Sequence, residues 1–528
     1  MRHLHPTRRE LARLGLAAAL PAAEAEDDSK ASIRKAMDAV SAAIPKADSD
    51  PERPSYHFRP PAQWNNDPNG TLYYKGWHHL FYQHNPFEAK WGHMHWGHAR
   101  SRDLVNWEHL PIALWPSIEK GEEHVFSGAA LAGAGERPRL MYTSIGNRDP
   151  EQWLAEPVDD ELITWRKDPR NPAATLKLHG ALKVGDWRDP FLFREGAEIY
   201  MVCGGNGSSR RRSGTAAVYL YQAAKRDLSE WRFRGPVFEY RDQGVINIEC
   251  PNLFKLGSKW VLLISPHKPC EYFVGDLDLK CGKFLPETHG VLDPGTSYAS
   301  NISIDDGGRT ILWLWGRTAT DPQKGWNSVM GMPRILTIGD DGFLRQNPAS
   351  EFESLRGEAR RLPSLLLDGQ PLKLGHEYSG DCLEIEAEFT LDTAYAAGLR
   401  LRCSSSGKSG IQVAYSTSQA ALTAGNAAAM IGSERRIRMR VYLDHRVAEA
   451  YANDGVGAIF TTVDAAPGDL GIEVYAQAAR RGWIRSQSGR SVPRDSALTA
   501  SSRESEQCHV IRHGQRQRSE PDNGGMNV

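Results

Sequence analysis

The chain lacks any long apolar run. Past its first twenty residues nothing approaches the ~18 uninterrupted apolar residues of a membrane-crossing helix, so no membrane span is expected. It also lacks an excess of charge of either sign: 64 Lys+Arg stand against 65 Asp+Glu, a net charge of −1. That removes the basic footprint a nucleic acid or anionic membrane partner requires. Cysteine is sparse, with seven residues and no Cys-x-x-Cys. A zinc site or a dense disulfide framework is therefore not expected, although one or two bridges remain open, with Cys270 and Cys281 a near pair. Tryptophan is plentiful: 15 residues, as many as Phe, most of them before residue 330. Such chains often stack on flat ligands, sugars included, but core packing uses the same side chains.

The N-terminus has paired arginines (Arg8-Arg9), a short apolar run (Leu14 to Leu20) and the small-residue site Ala23-Glu24-Ala25. This describes an export signal over residues 1–25, twin-arginine-like, and a periplasmic or secreted protein. Residues 26–54 read as a helix, striped by Ile33, Met37, Val40 and Ile44, and a polar linker. From 55 to about 355 the text is β-like, and a repeat shows. Strand–turn–strand runs open at Asp67, Ser127, Asp189, Glu249 and Tyr298, spaced by 60, 62, 60 and 49 residues. A repeated unit that cannot bury its own faces implies a radial array, and five units suggest a five-bladed β-propeller. Residues 356–480 turn to short alternating strands, the pattern of a C-terminal β-sandwich. Residues 481–528, with eight arginines and no lysine, read as a disordered tail or a frame-slip product. The fold class expected is all-β.

Equivalent positions of a propeller converge on its axis. Asp67 in Trp64-Asn65-Asn66-Asp67-Pro68-Asn69-Gly70, Asp189 in Trp187-Arg188-Asp189-Pro190 and Glu249 in Glu249-Cys250-Pro251 therefore come together. Each acid has a Pro one or two places on, which removes a backbone donor and stiffens the chain where the carboxylate must be aimed. Converging carboxylates suit glycosidic cleavage, one as nucleophile or base and one as an acid of raised pKa. Arg188 is expected to keep Asp189 ionised, which leaves Asp67 and Glu249 for the two catalytic roles. His78, His79, His84, His93, His95 and His98 cluster without zinc spacing, and neither metal nor cofactor is expected.

These segments resemble glycoside hydrolase family 32, the invertases, levanases and inulinases. Residues 64–70 are similar to its W-M-N-D-P-N-G signature, with Asn65 in place of Met; Arg188-Asp189-Pro190 and Glu249-Cys250 match its R-D-P and E-C motifs. Further on, Leu443-Asp444-His445 through Glu449 resembles the family's sandwich. The resemblance spans about residues 55–475 and implies retaining hydrolysis of β-fructofuranosides. Asp67 is then the nucleophile, Glu249 the acid and base, and Asp189 a binder of fructosyl hydroxyls. Asn66, Gln83, Trp91, Phe126, Ser127 and Arg188 would line the pocket, with Trp64, Trp315 and Cys250 as further wall candidates. Leu314 stands where Gly is expected beside Trp315. Sucrose or a fructan is the implied partner. A fructosyltransferase with the same residues, or a non-catalytic fructan-binding protein, is the alternative.

Overall fold

The computed structural model describes residues 29–132, 136–207, 215–240, 242, 244–367, 369–404, 406, 409–478 and 508–513. The expected export signal lies outside them. The described residues divide into two compact units. One takes in the chain up to Asp50, Phe58–His289 and Tyr298–Pro333; the other takes in Pro51–His57, Gly290–Ser297 and the chain from Arg334. Among the described residues no helix is long and apolar enough to cross a membrane.

In the first unit, residues 29–48 form a helix, and most of the rest is antiparallel sheet. Gln63–Tyr74, Trp77–Asn85, His95–Ser101 and Trp107–Leu114 make the first sheet, with Trp326–Asn327 running parallel beside its first strand. The second holds His124–Leu131, Arg139–Gly146, Arg148–Pro157 and Trp165–Lys167; the third Gly185–Glu195, Glu198–Asn206, Ala216–Ala223 and Trp231–Tyr240. The fourth holds Glu249–Leu256, Lys259–Ser265, Cys270–Asp278 and Lys283–Asp293, and a fifth begins with Ser297–Ile304 and Thr310–Gly316.

The first strands of these sheets follow one another around a ring. Gly128 N donates to Asn69 Oδ1 (3.2 Å), Asp189 N to Thr143 Oγ1 (2.9 Å) and Cys250 N to Asp189 Oδ2 (3.0 Å). Asn252 Nδ2 then reaches Ser300 O (3.0 Å), and Thr71 Oγ1 donates to Ile302 O (2.8 Å), which joins the fifth sheet to the first. Apolar faces pack between neighbouring sheets. Leu72, Phe81 and Trp96 of the first share a core with Val125, Leu140, Tyr142 and Trp153 of the second. This is propeller packing, in which each sheet buries its faces on its neighbours.

The second unit is a two-sheet sandwich of six strands each. Leu383, Ile385, Ala387 and Phe389 point inward at period two, as do Leu399 and Leu401 of the facing sheet, while the intervening residues lie on the other face of each strand, where Glu384 and Arg402 are also buried. Composition does not reveal two of its parts. Pro51–His57 belongs to this unit, because Asp444 collects the backbone N–H groups of Ser55, Tyr56 and His57 at 2.6, 2.9 and 2.9 Å. Cys508–His513, inside the stretch expected to be unfolded, forms a strand between Arg356–Leu362 and Cys382–Thr390. Those two strands leave a central gap in the ladder, and six extended residues fill it. The other residues of 481–528 lie outside the described chain. Cys203, Cys250, Cys270, Cys281, Cys382 and Cys403 are free, so Cys270 and Cys281 are not bridged.

Candidate functional site

The first strands of the first four sheets carry a register shift at the same place. The irregularities fall between Asn65 and Pro68, Val125 and Gly128, Arg188 and Phe191, and Glu249 and Asn252. A β-bulge inserts a residue without a ladder partner and re-aims its side chain. Pro190 and Pro251 sit within such bulges, where no ladder N–H is required. Asp189 (φ 62°) and Cys250 (φ 45°) adopt left-handed backbone, which costs a non-glycine residue about 1–3 kcal/mol. The hydrogen bonds from Asp189 N and Cys250 N offset that strain.

The bulges gather most of the expected residues into one network. Ser127 Oγ donates to Asp67 Oδ2 at 2.5 Å, and Asn66 Nδ2 donates to Asp67 Oδ1 at 3.0 Å. Trp64 Nε1 donates to Asn66 Oδ1 (2.7 Å), Asn66 Nδ2 to Gln83 Oε1 (3.0 Å) and Gln83 Nε2 to Ser127 Oγ (2.7 Å). The Cys250 sulfur lies 3.5 Å from Asp67 Oδ2 and 3.8 Å from Asp189 Oδ2, so the two aspartates flank one atom. Trp315 packs edge-on to Trp64, with centroids 5.8 Å apart. Trp91 and Phe126 form an aromatic cluster with His124, and Trp91 is half exposed.

The electrostatics differ from the expectation at one point. Arg188 was expected to serve Asp189. Instead its Nη2 donates to Glu249 Oε1 at 2.6 Å, while its Nε stays 3.8 Å from Asp189 Oδ2. Chain neighbours in an extended strand point to opposite faces, and the left-handed turn at Asp189 carries its carboxyl toward Cys250. Burial therefore pushes Asp189 up to about 7 against the pull of Arg188, with the charges of Glu249 and Asp67 adding to the rise. Asp67 is also raised, mainly by burial. Burial pushes Glu249 up as well, but Arg188 and His267 outweigh it, and the carboxyl sits below its ordinary value. The raised pKa expected of an acid at Glu249 is not a property of the free site.

Two residues around Glu249 were missed. Tyr298 OH donates to Glu249 Oε2 at 2.6 Å, and His267 Nδ1 lies 3.6 Å from the same oxygen. Tyr298 was legible as the fifth anchor of the repeat. It holds the place an acid takes in three of the other four sheets, and a phenol there carries no carboxylate signal. His267 carries no such signal. Two of the clustered histidines pack against each other: His79 Nδ1 lies 3.0 Å from His98 Nε2, and His98 stacks on Phe81 at 3.9 Å. Burial lowers the proton affinity of both.

The site can bring three carboxyl groups and a guanidinium to one small polar ligand. Arg188→Gln is expected to remove the cation that holds Glu249 ionised. Its pKa then rises, and the alkaline limb of any activity that needs protonated Glu249 moves up by about one pH unit. A pH–kcat/KM profile, scaled to its own maximum, checks this; an unmoved limb counts against the pairing.

Comparison with known proteins bears on most of the chain. Residues 57–348 match the profile described as "Glycosyl hydrolases family 32 N-terminal domain", and 351–487 match "Glycosyl hydrolases family 32 C terminal". The chain is 30% identical over 483 residues to a levanase of Bacillus subtilis (strain 168), covering 80% of this chain and 68% of that protein. It is 32% identical over 418 residues to a sucrose-6-phosphate hydrolase of Zymomonas mobilis subsp. mobilis, covering 72% of this chain and 78% of that one. A crystal structure of fructan 1-exohydrolase IIa from Cichorium intybus superposes with a TM-score of 0.74 at 24% identity, covering 88% of this chain and 98% of that one.

Proposed function

Because the chain belongs to glycosyl hydrolase family 32, we propose that Asp67, Glu249 and Asp189 carry out its hydrolysis of sucrose or fructan in two displacements at the fructosyl carbon. The protein is a glycosidase of the β-fructofuranosidase type. In the reading proposed here, Asp67 attacks the anomeric carbon and forms a covalent fructosyl ester as Glu249 gives a proton to the leaving oxygen. Glu249 then takes a proton from the water that cleaves the ester. Ser127 and Asn66 hold the two oxygens of Asp67, which fixes its angle of attack. Asp189 accepts hydrogen bonds from fructosyl hydroxyls, most strongly in its ionised form.

Seating a sugar over Glu249 displaces water and crowds the Arg188 contact. Both raise its proton affinity, so its protonation accompanies substrate binding. The observation that carries this reading is the common network in which one thiol flanks Asp67 and Asp189 while Arg188 spans Asp189 and Glu249. The five sheets are read as five blades around this site, and the protein as an exported enzyme.

Sugar release from sucrose, levan and inulin, compared side by side, tests the reading. Free fructose is expected from at least one of them, and no longer oligosaccharides at high sucrose. Accumulation of longer oligosaccharides would instead make the enzyme a fructosyltransferase.

A further inference from the structure

Residues 29–48 precede the family match, yet their helix packs into the first unit through Ala36, Val40 and Ala47, all buried. It touches two loops. On one side the Lys35 ammonium stands 5.8 Å above the Phe87 ring. Phe87 opens the turn that leads to Trp91, and Asn85 pins that turn: its Oδ1 accepts from Phe87 N (3.1 Å), and its Nδ2 donates to Lys90 O (2.9 Å). On the other side Asp50, just past the helix, accepts from Lys324 Nζ (3.0 Å) and from the Trp326 indole (2.9 Å). Gly325 (φ 76°) lies so close that an added Cβ would meet the Lys46 side chain at 3.2 Å and Ala47 N at 3.3 Å. A side chain there would be strained at this φ and would push the helix back by a few tenths of an ångström.

The two loops are tied to each other and to the site. Asn327 Nδ2 donates to Ala89 O at 3.3 Å. Trp326 and Asn327 pair in parallel with Gln63 and Trp64, and Trp64 holds Asn66, which holds Asp67.

We infer that the 29–48 helix is a positioning element for the Trp91 wall, clamping the 86–91 turn and the 321–327 loop in the arrangement that receives the sugar. Lys35 and Asp50 are its positioning residues. The inference rests on the reading of Trp91 as a pocket wall, and the test separates the two.

The full-length Lys35→Ala/Asp50→Asn variant, and separately Val40→Asp, which places a charge in the helix seat, are assayed on sucrose. Each is made with Trp91 intact and with Trp91→Ala. With Trp91 intact, KM is expected to rise about fivefold while kcat stays within about twofold, the signature of lost binding without lost chemistry. In the Trp91→Ala background the same helix changes should add under about 1.5-fold, because a lost wall cannot be misplaced twice. If Trp91→Ala alone leaves KM unchanged, Trp91 is not a wall and the pocket reading fails. If Trp91→Ala raises KM but the helix variants do not, or raise it equally in both backgrounds, the positioning role is overturned. A lower unfolding temperature with unmoved KM overturns it too, since it marks a helix that only stabilises.

Discussion

Asp67→Asn should reduce sucrose turnover by about 10⁴-fold or more, the order seen when a covalent nucleophile is removed. The substitution is isosteric, and Ser127 and Asn66 can still bond the amide, so the fold and the pocket survive. Glu249→Gln should lower kcat on sucrose by roughly 10²–10⁴-fold, the range supplied by one general acid–base group. The two losses are told apart by the leaving group. The nitrophenolate of a p-nitrophenyl β-fructofuranoside departs without a proton, so Glu249→Gln should form the fructosyl ester at close to the normal rate and then stall, giving a burst of nitrophenolate. Asp67→Asn should give no burst, because no bond forms. Azide should restore turnover of Glu249→Gln, since an anionic nucleophile needs no base. An Asp67→Asn enzyme that keeps about a tenth of wild-type activity would exclude Asp67 as nucleophile. A Glu249→Gln enzyme equally slow on both substrates would mean that Glu249 is not the proton donor.

The second large effect concerns the sandwich unit. His57 is fully buried between two carboxylates, its Nδ1 2.9 Å from Asp444 Oδ2 and its Nε2 3.2 Å from Glu449 Oε1. Arg334, equally buried, bonds Glu449 at 2.9 Å and Asp293 at 2.7 Å. Three carboxylates thus share two cations, and backbone N–H groups of Ser55, Tyr56, Gly295 and Phe460 satisfy remaining lone pairs. A buried ion network adds little over apolar packing, but removing one member strands the rest. His57→Leu should therefore cost roughly 3–5 kcal/mol of unfolding free energy, measured by urea unfolding at pH 7.

The same network sets the pH dependence of stability. Burial lowers the proton affinity of His57, but hydrogen bonds to Asp444 and Glu449 outweigh it and raise the imidazole to about 9. Its folded pKa lies above its unfolded one, so its contribution is complete below about pH 6.5 and is lost as pH rises through about 9. Asp444 and Glu449 are held down to about 2, burial being outweighed by His57 for the first and by Arg334 and His57 for the second. Their contribution is present above about pH 4 and is lost as pH falls through about 2. Wild-type stability should decline between pH 7 and 10, and His57→Leu should remove most of that decline. A parallel decline in both proteins would assign it to other groups.

Much of this site is legible in the chain. Asp67, Asp189 and Glu249 announce themselves by repeat spacing and by the prolines beside them, and the network includes Asn66, Gln83, Ser127, Arg188 and Cys250 as expected. Strand periodicity marks the propeller and the sandwich, because alternation records which face of a strand is dry. What the chain does not record is who faces whom. Arg188 precedes Asp189 but serves Glu249, since pleating and one left-handed residue decide where the head groups go. Tyr298 is 49 residues from the carboxylate it bonds, and nothing local links them.

Pro51–His57 reads as a connection, yet Asp444 binds it about 390 residues away in sequence. Cys508–His513 lies in text without pattern, yet it completes a ladder whose other strands begin at Arg356 and Cys382. Sequence by itself determined the residue types, their periods and the reaction chemistry they suit. Only the tertiary structure decided the partnerships, and through them which carboxyl is ionised, because a proton's affinity depends on the charges and water within a few ångströms and not on chain neighbours.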